Sequence, residues 1–270
     1  MTQPVPMEVH VEGLGTVPAT VAEEGAGRPV LLLHGGAGPR SVAGFGGLLA
    51  AAHPVRVFTP VHPGFDGTPR PGALDSVGLL AALYEALLDA LDLTDVTVVG
   101  SSIGGWIAAE LALRGSSRVG RVVLLDAVGI EVPGHPVADV FGLTMDEIAD
   151  LSYHEPDRFR LDVAALPPAQ AALLAGNRAA LAVYAGAMTD PGLRARLAAV
   201  RVPAVVVWGE ADRIADAGYG HALAAAIPGA RFVLLPRAGH MPQLEAPDAL
   251  LAVLGDVLAG AAAGARTEAG

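Results

Sequence analysis

Apolar positions along this chain follow two rhythms. An unbroken apolar run at residues 29–33 (P-V-L-L-L) and mostly apolar, β-branched runs at 55–59, 96–99, 121–125, 204–207 and 231–235 predict strands buried within a sheet that helices cover. Ahead of them, residues 7–12 and 16–23 flank Gly13-Leu14-Gly15 and predict an opening β-hairpin. The second rhythm is helical. It occupies residues 75–91, with Asp75 or Ser76 as N-cap, residues 103–114, stopping near Gly115, and residues 247–258. Strand runs alternating with helical runs imply right-handed βαβ crossovers, hence an α/β fold with a mostly parallel, doubly wound sheet.

The alternation breaks at residues 129–201. This stretch carries Pro133, Pro136, Pro156, Pro167, Pro168 and Pro191, shows helical patterns at 144–152, 169–184 and 192–199, and has no strand pattern. Because sheet runs resume directly afterwards, the expected organisation is a core of residues 1–128 and 202–258 with an inserted helical lid at 129–201. Open α/β sheets bind ligands at the carboxyl edge such an insertion would cover. The small, polar tail at 259–270 is expected to be disordered.

Composition narrows the function. At 270 residues and 52% hydrophobic content the chain can bury a large core. A net charge of −11 without any basic block argues against nucleic-acid or anionic-membrane partners and leaves a small-molecule substrate. The absence of cysteine removes disulfide, thiolate and cysteine-metal chemistry. No secretory leader pattern or run of roughly 18 apolar residues stands out, so a soluble, cytoplasmic protein is expected. Oligomeric state is not legible.

Candidate chemistry sits where strand runs end. Residues 100–104 read Gly100-Ser101-Ser102-Ile103-Gly104, a G-x-S-x-G between a strand and a helix, the context in which a serine is presented at a sharp turn. A serine nucleophile needs a base, and the base needs a carboxylate to fix its tautomer. Asp212, four residues past Trp208, and His240, five past Leu235, follow two later strands, and strand ends of a parallel sheet share one edge. The order serine, acid, histidine separates this arrangement from the other common serine-triad folds. Asp126, also at a strand end, is the alternative acid. Asp216 reads as a helix N-cap and Asp66 as a turn residue. His34 and His62 read as loop-shaping groups, and His135 and His154 as lid surface. No histidine spacing suits a metal, and the turn His34-Gly35-Gly36-Ala37-Gly38-Pro39 fits no nucleotide-binding pattern, so neither metal nor cofactor is expected.

With His34-Gly35-Gly36, Gly100-Ser101-Ser102-Ile103-Gly104-Gly105, Trp208-Gly209-Glu210-Ala211-Asp212 and Gly239-His240 in this order, the chain resembles the α/β-hydrolase superfamily over nearly its whole length. The resemblance implies a Ser102, Asp212, His240 triad and an oxyanion hole from the amides of Gly36 and Ile103. Ile103 opens a helix, where free amides and the helix dipole favour negative charge. The implied activity is a serine hydrolase, carboxylesterase-like, cleaving a small, largely apolar ester, lactone or thioester through an acyl-enzyme. Trp106, Phe141, Met145 and Tyr184 are candidate pocket residues; Tyr153, Phe159 and Met188 share the same apolar character. The Gly-rich loop also resembles carbon-carbon bond hydrolases of meta-cleavage products, although those typically carry Asn where Ser101 stands and Trp where Met241 stands. A third possibility is a ligand-binding receptor or scaffold of the same fold with little turnover.

Overall fold

In the computed structural model, which describes residues 4–260, eight strands form one sheet: β1 (Val5–Val11), β2 (Gly15–Gly25), β3 (Arg28–Leu33), β4 (Val55–Val61), β5 (Val96–Ser101), β6 (Val119–Leu125), β7 (Ala204–Gly209) and β8 (Arg231–Leu235). Their spatial order is β1-β2-β4-β3-β5-β6-β7-β8. The hairpin β1–β2 is antiparallel, β2 joins β4 antiparallel, and every pairing from β4 to β8 is parallel. Of the tail expected at 259–270, residues 261–270 lie outside the described residues.

The unbroken apolar runs work because both faces are buried. Val30 and Leu32 of β3, Val99 of β5 and Val205 of β7 point to one face, where α1 (Arg40–Ala52) and the late helix at Pro247–Leu258 cover them. Leu31, Leu33, Val98 and Val206 point to the other, beneath α2 (Val77–Ala90) and α3 (Ile103–Leu113). Each fully buried Val or Leu contributes roughly 1.5–3 kcal/mol over exposure, so a polar substitution on either face of these strands is costly. Ser76 caps α2, its side chain accepting from the Leu79 amide.

Between β6 and β7 the chain forms α4 (Met145–Ser152), α5 (Pro156–Phe159), α6 (Pro168–Ala185) and α7 (Leu193–Arg196), with 3₁₀ turns at Val163–Ala165 and Leu197–Ala199. Helix α4 starts at a capping box, Thr144 and Glu147 satisfying each other's backbone amides. A single parallel bridge, Gly129 to Thr189, is the one strand-like feature of this insertion among the described residues. After β7 come α8 (Ala217–Ala226), α9 (Pro242–Glu245) and α10 (Pro247–Leu258). Helices α1 and α8 carry no clear sequence pattern. Both are rich in Gly and Ala, and in α8 the backbone must come close: a Cβ on Gly220 would lie 2.5 Å from the Trp208 ring. Among the described residues no helix is long and apolar enough to cross a membrane.

Candidate active site

Strand β5 turns into α3 through Ser102, whose backbone sits at φ 55°, ψ −119°, a region L-residues rarely occupy. The turn is held from three sides. The Ser102 amide donates to the Leu125 carbonyl (2.9 Å), and the Gly105 and Val128 amides donate to the Ser102 carbonyl (2.9 and 3.4 Å). Glycines are required by proximity. A Cβ on Gly100 would lie 2.1 Å from the Gly104 carbonyl oxygen, one on Gly104 would lie 2.4 Å from that of Leu33, and one on Gly105 would lie 2.4 Å from Ala127 Cβ.

The loops after β7 and β8 meet beside this turn. His240 Nδ1–H donates to Asp212 Oδ2 at 2.8 Å, which leaves Nε2 as the proton-accepting nitrogen. The other oxygen of Asp212 accepts from the amides of Ile214 (2.8 Å) and Ala215 (3.2 Å), so its loop fixes the carboxylate. Asp212 and His240 are 3% and 8% exposed. The insertion contributes too: the Ser152 carbonyl, at the end of α4, accepts from the His240 amide at 2.6 Å, and the Leu151 carbonyl from the Arg213 amide at 3.0 Å.

Asp126 ends β6 in the same place with φ 44°. Its Oδ1 accepts from the Gly209 amide at 2.8 Å, and its carboxyl is fully buried. Burial first, and then the neighbouring Asp212 charge, push this carboxyl well above the usual carboxylate range. Asp126, Asp212 and His240 each bring one ligand-type atom within 4.8 Å of the others, the one such cluster among the described residues. The contact between Asp212 and His240 is the hydrogen bond already described, so that proximity has an explanation without a metal.

Gly36 lines the cavity, and Ile103 opens α3 directly after Ser102. A Cβ on Gly35 would come within 3.1 Å of Ser102 Cβ, which places the loop after β3 against the serine. That loop is braced by a buried pair of stacked imidazoles, His34 and His62, 3.7 Å between ring centroids. His34 Nδ1–H donates to the Gly35 carbonyl (2.8 Å) and its Nε2 accepts from the His62 amide (3.0 Å). His62 Nε2–H donates to the His34 carbonyl (2.9 Å), and the Tyr84 hydroxyl donates to His62 Nδ1. Both rings are thereby satisfied as neutral species. Burial pushes His34 down to about 4 and His62 well below its usual value, and holds the Tyr84 hydroxyl well above its own.

Ser102 and His240 open into one cavity of about 440 Å³. Met145 and Ile148 from α4, Leu174 and Leu181 from α6, and Met188, Ile214 and Met241 make its wall largely apolar. Of the pocket residues expected from sequence, Met145 is in this wall, but Trp106, Phe141 and Tyr184 are not. Trp106 packs in the core against Gly129. Phe141 packs on the same core from its edge. The Tyr184 hydroxyl turns away to the Pro63 carbonyl (2.9 Å). Met188 is in the wall, whereas Tyr153 bonds Met241 through its hydroxyl and stacks on Phe159. Arg178 of α6 also reaches the cavity, its Nη2 donating to the carbonyls of Val140, Phe141 and Leu143 (2.7–3.0 Å); only the packing of the insertion reveals that position. Asp216 caps α8 by accepting from the Tyr219 amide and pairs with His135. Asp66 takes a positive φ of 48° in its turn, and the His154 amide donates to Glu245.

A profile of the alpha/beta hydrolase family matches residues 30–253. The chain belongs to the alpha/beta hydrolase family. Among curated relatives, this alpha/beta hydrolase is 26% identical over 276 residues to a 2-hydroxy-6-oxo-6-phenylhexa-2,4-dienoate hydrolase of Burkholderia cepacia, covering 93% of this chain and 94% of that one. It is 32% identical over 253 residues to a pimeloyl-[acyl-carrier protein] methyl ester esterase of Aromatoleum aromaticum, covering 86% of this chain and 98% of the relative. A thermophilic esterase from Thermogutta terrifontis superposes with a TM-score of 0.77 at 23% identity, over 95% of this chain and 98% of the esterase, which shows the shared fold.

Proposed function

We infer that this alpha/beta hydrolase is a serine hydrolase that transfers a small, largely apolar acyl group from an ester, thioester or lactone to water. The observation that carries the reading is the convergence of Ser102, on its strained turn, with an Asp212-oriented His240 at the floor of one apolar cavity. His240 Nε2 takes the Ser102 proton as Oγ attacks the carbonyl carbon, and the amides of Gly36 and Ile103 hold the oxyanion. His240 returns the proton to the departing alcohol or thiol. It then deprotonates a water that cleaves the acyl-enzyme, regenerating Ser102. The insertion acts as the lid, since α4 and α6 supply much of the cavity wall, and a wall of Met and Leu favours a flexible aliphatic or compact aromatic acyl chain.

A second reading, hydrolysis of a carbon-carbon bond in a dienoate, is favoured by the name of the Burkholderia cepacia relative and by the Gly-rich loop after β3. Ser101 and Met241 weigh against it. Incubation with p-nitrophenyl acetate and butyrate tests the ester reading: steady release of nitrophenol, abolished in Ser102→Ala, supports it. Loss of a dienoate chromophore without ester turnover would transfer the proposal to the second reading. Ligand-induced thermal shifts with neither activity would favour a binding protein.

A further inference from the structure

We propose that Asp126 is a positioning residue for the triad, a protonated carboxyl whose Oδ2–H donates to Asp212 and holds that carboxylate on His240. This rests on the reading of Ser102, Asp212 and His240 as a triad and adds a fourth member. The geometry is specific. Asp126 stands at the end of β6 with Oδ1 taken by the Gly209 amide (2.8 Å), and its buried Oδ2 accepts no hydrogen bond among the described residues. One oxygen of Asp126, one of Asp212 and a ring nitrogen of His240 lie within 4.8 Å of one another. Two buried carboxyls that close cannot both ionise without severe repulsion. Asp212 is the one that accepts donors on both oxygens, from Ile214, Ala215 and His240. The single proton therefore belongs on Asp126, where it converts an orphaned oxygen into a donor and adds a further hydrogen bond to Asp212. Asp126 touches neither the substrate nor the reacting atoms. Its segment also carries the nucleophile turn: the preceding Leu125 carbonyl holds the Ser102 amide, and Val128 two residues later bonds the Ser102 carbonyl.

The arrangement also gives Asp126 a second capacity. If Asp212 loses its charge, the repulsion that opposes ionisation of Asp126 is removed and only burial still favours its proton, so the protonated His240 can stabilise Asp126 as the nearest carboxylate. Asp212→Asn should therefore retain more activity than Asp126→Asn/Asp212→Asn, by about tenfold or more in kcat, with KM little altered. In an otherwise unaltered site, Asp126→Asn keeps a carbonyl for Gly209 and an amide donor for Asp212, and should retain at least about tenfold more kcat than Asp126→Ala. Asp126→Ala removes the donor and should lower kcat by about 10–100-fold.

Two readouts are independent of which bond the enzyme cleaves. The infrared difference spectrum of wild type against Asp126→Asn at neutral pH should contain the carbonyl stretch of a protonated carboxyl. The downfield imidazole Nδ1 proton of His240 should persist in Asp126→Asn and shift in Asp126→Ala. At alkaline pH, loss of the Asp126 proton would set a second anion among Asp212, His240 and the nearby Glu245. Activity of the wild type should then fall on an alkaline limb that Asp126→Asn lacks. Absence of the protonated-carboxyl band, or equal activity of the single Asp212→Asn and the double variant, overturns the proposal. Absence of ester turnover in the wild type with the band present overturns the ester reading alone.

Discussion

Replacing Ser102 separates chemistry from strain. Ser102 holds φ 55°, ψ −119°, and a side-chain-bearing residue in such a region costs about 1–3 kcal/mol. Ala at this position loses the hydroxyl but keeps Cβ and therefore the strain. Gly loses both, although its freer unfolded chain returns about 0.5–1 kcal/mol of that gain. Ser102→Gly should thus be more stable than Ser102→Ala by about 1 kcal/mol, or roughly 2–4 °C in Tm for a chain near this size. Both variants should be equally inactive toward p-nitrophenyl butyrate. Urea and thermal unfolding of the pair at pH 7 measure the difference directly. Equal stabilities, or Ser102→Ala the more stable, would show that the turn is relaxed and that the surrounding hydrogen bonds do not hold it against a local preference.

The remaining expectations concern the loops around that turn. Gly104→Ala puts a Cβ 2.4 Å from the Leu33 carbonyl oxygen, a backbone contact that cannot yield; it should cost more than about 3 kcal/mol, read as lost soluble yield or a large drop in Tm. His34, normally titrating near 6.5, sits near 4 in the folded protein. As pH falls below about 6.5 the unfolded chain binds the proton first, so this residue's contribution is present above 6.5, is lost down to about 4 and then levels. Asp126, raised instead, works the opposite way, contributing below the usual carboxylate range and losing that contribution as pH rises through its folded value. Denaturation of wild type against His34→Gln therefore isolates the histidine, and the stability gap between them should narrow by roughly 3 kcal/mol between pH 7 and pH 4; an unchanged gap would refute the neutral, buried assignment. Arg178→Met removes the cationic group from the cavity wall and should raise KM more for p-nitrophenyl monoesters of dicarboxylic acids than for p-nitrophenyl butyrate. An equal effect on both would mean that Arg178 acts only through the carbonyls of Val140, Phe141 and Leu143.

The strands were legible because a sheet buried on both faces leaves few polar positions in β3, β5 and β7, and the elbow because only glycines fit where β5 and α3 touch. The order of Ser102, Asp212 and His240 was legible because parallel strands bring their ends to one edge. Helices α1 and α8 were not: in α1 the apolar period of Val42, Phe45 and Leu49 is interrupted by Gly44, Gly46 and Gly47, and α8 packs through Gly220 against Trp208. The pocket was least legible. Trp106 and Tyr184 have the size and polarity of ligand-binding residues, but which way a helix turns its side chains is decided by packing between distant elements. The same holds for Arg178, one cation among several on the inserted helices until α6 is docked.

That docking has a consequence for how a substrate arrives. Helix α6 is riveted to the loops beneath it: Asn177 Oδ1 accepts from the Asp66 amide at 2.7 Å, and Tyr184 is tied to the Pro63 carbonyl. Leu181 fills the space over Gly36. Helix α4 is riveted to the other half of the site, through the Ser152 carbonyl on the His240 amide. Neither helix can swing upward without breaking these bonds. With both helices held, substrate is expected to enter past Val163, which is 37% exposed and lines the cavity. An entrance whose width is set by docked helices would select molecules by shape before any contact with Ser102 is made.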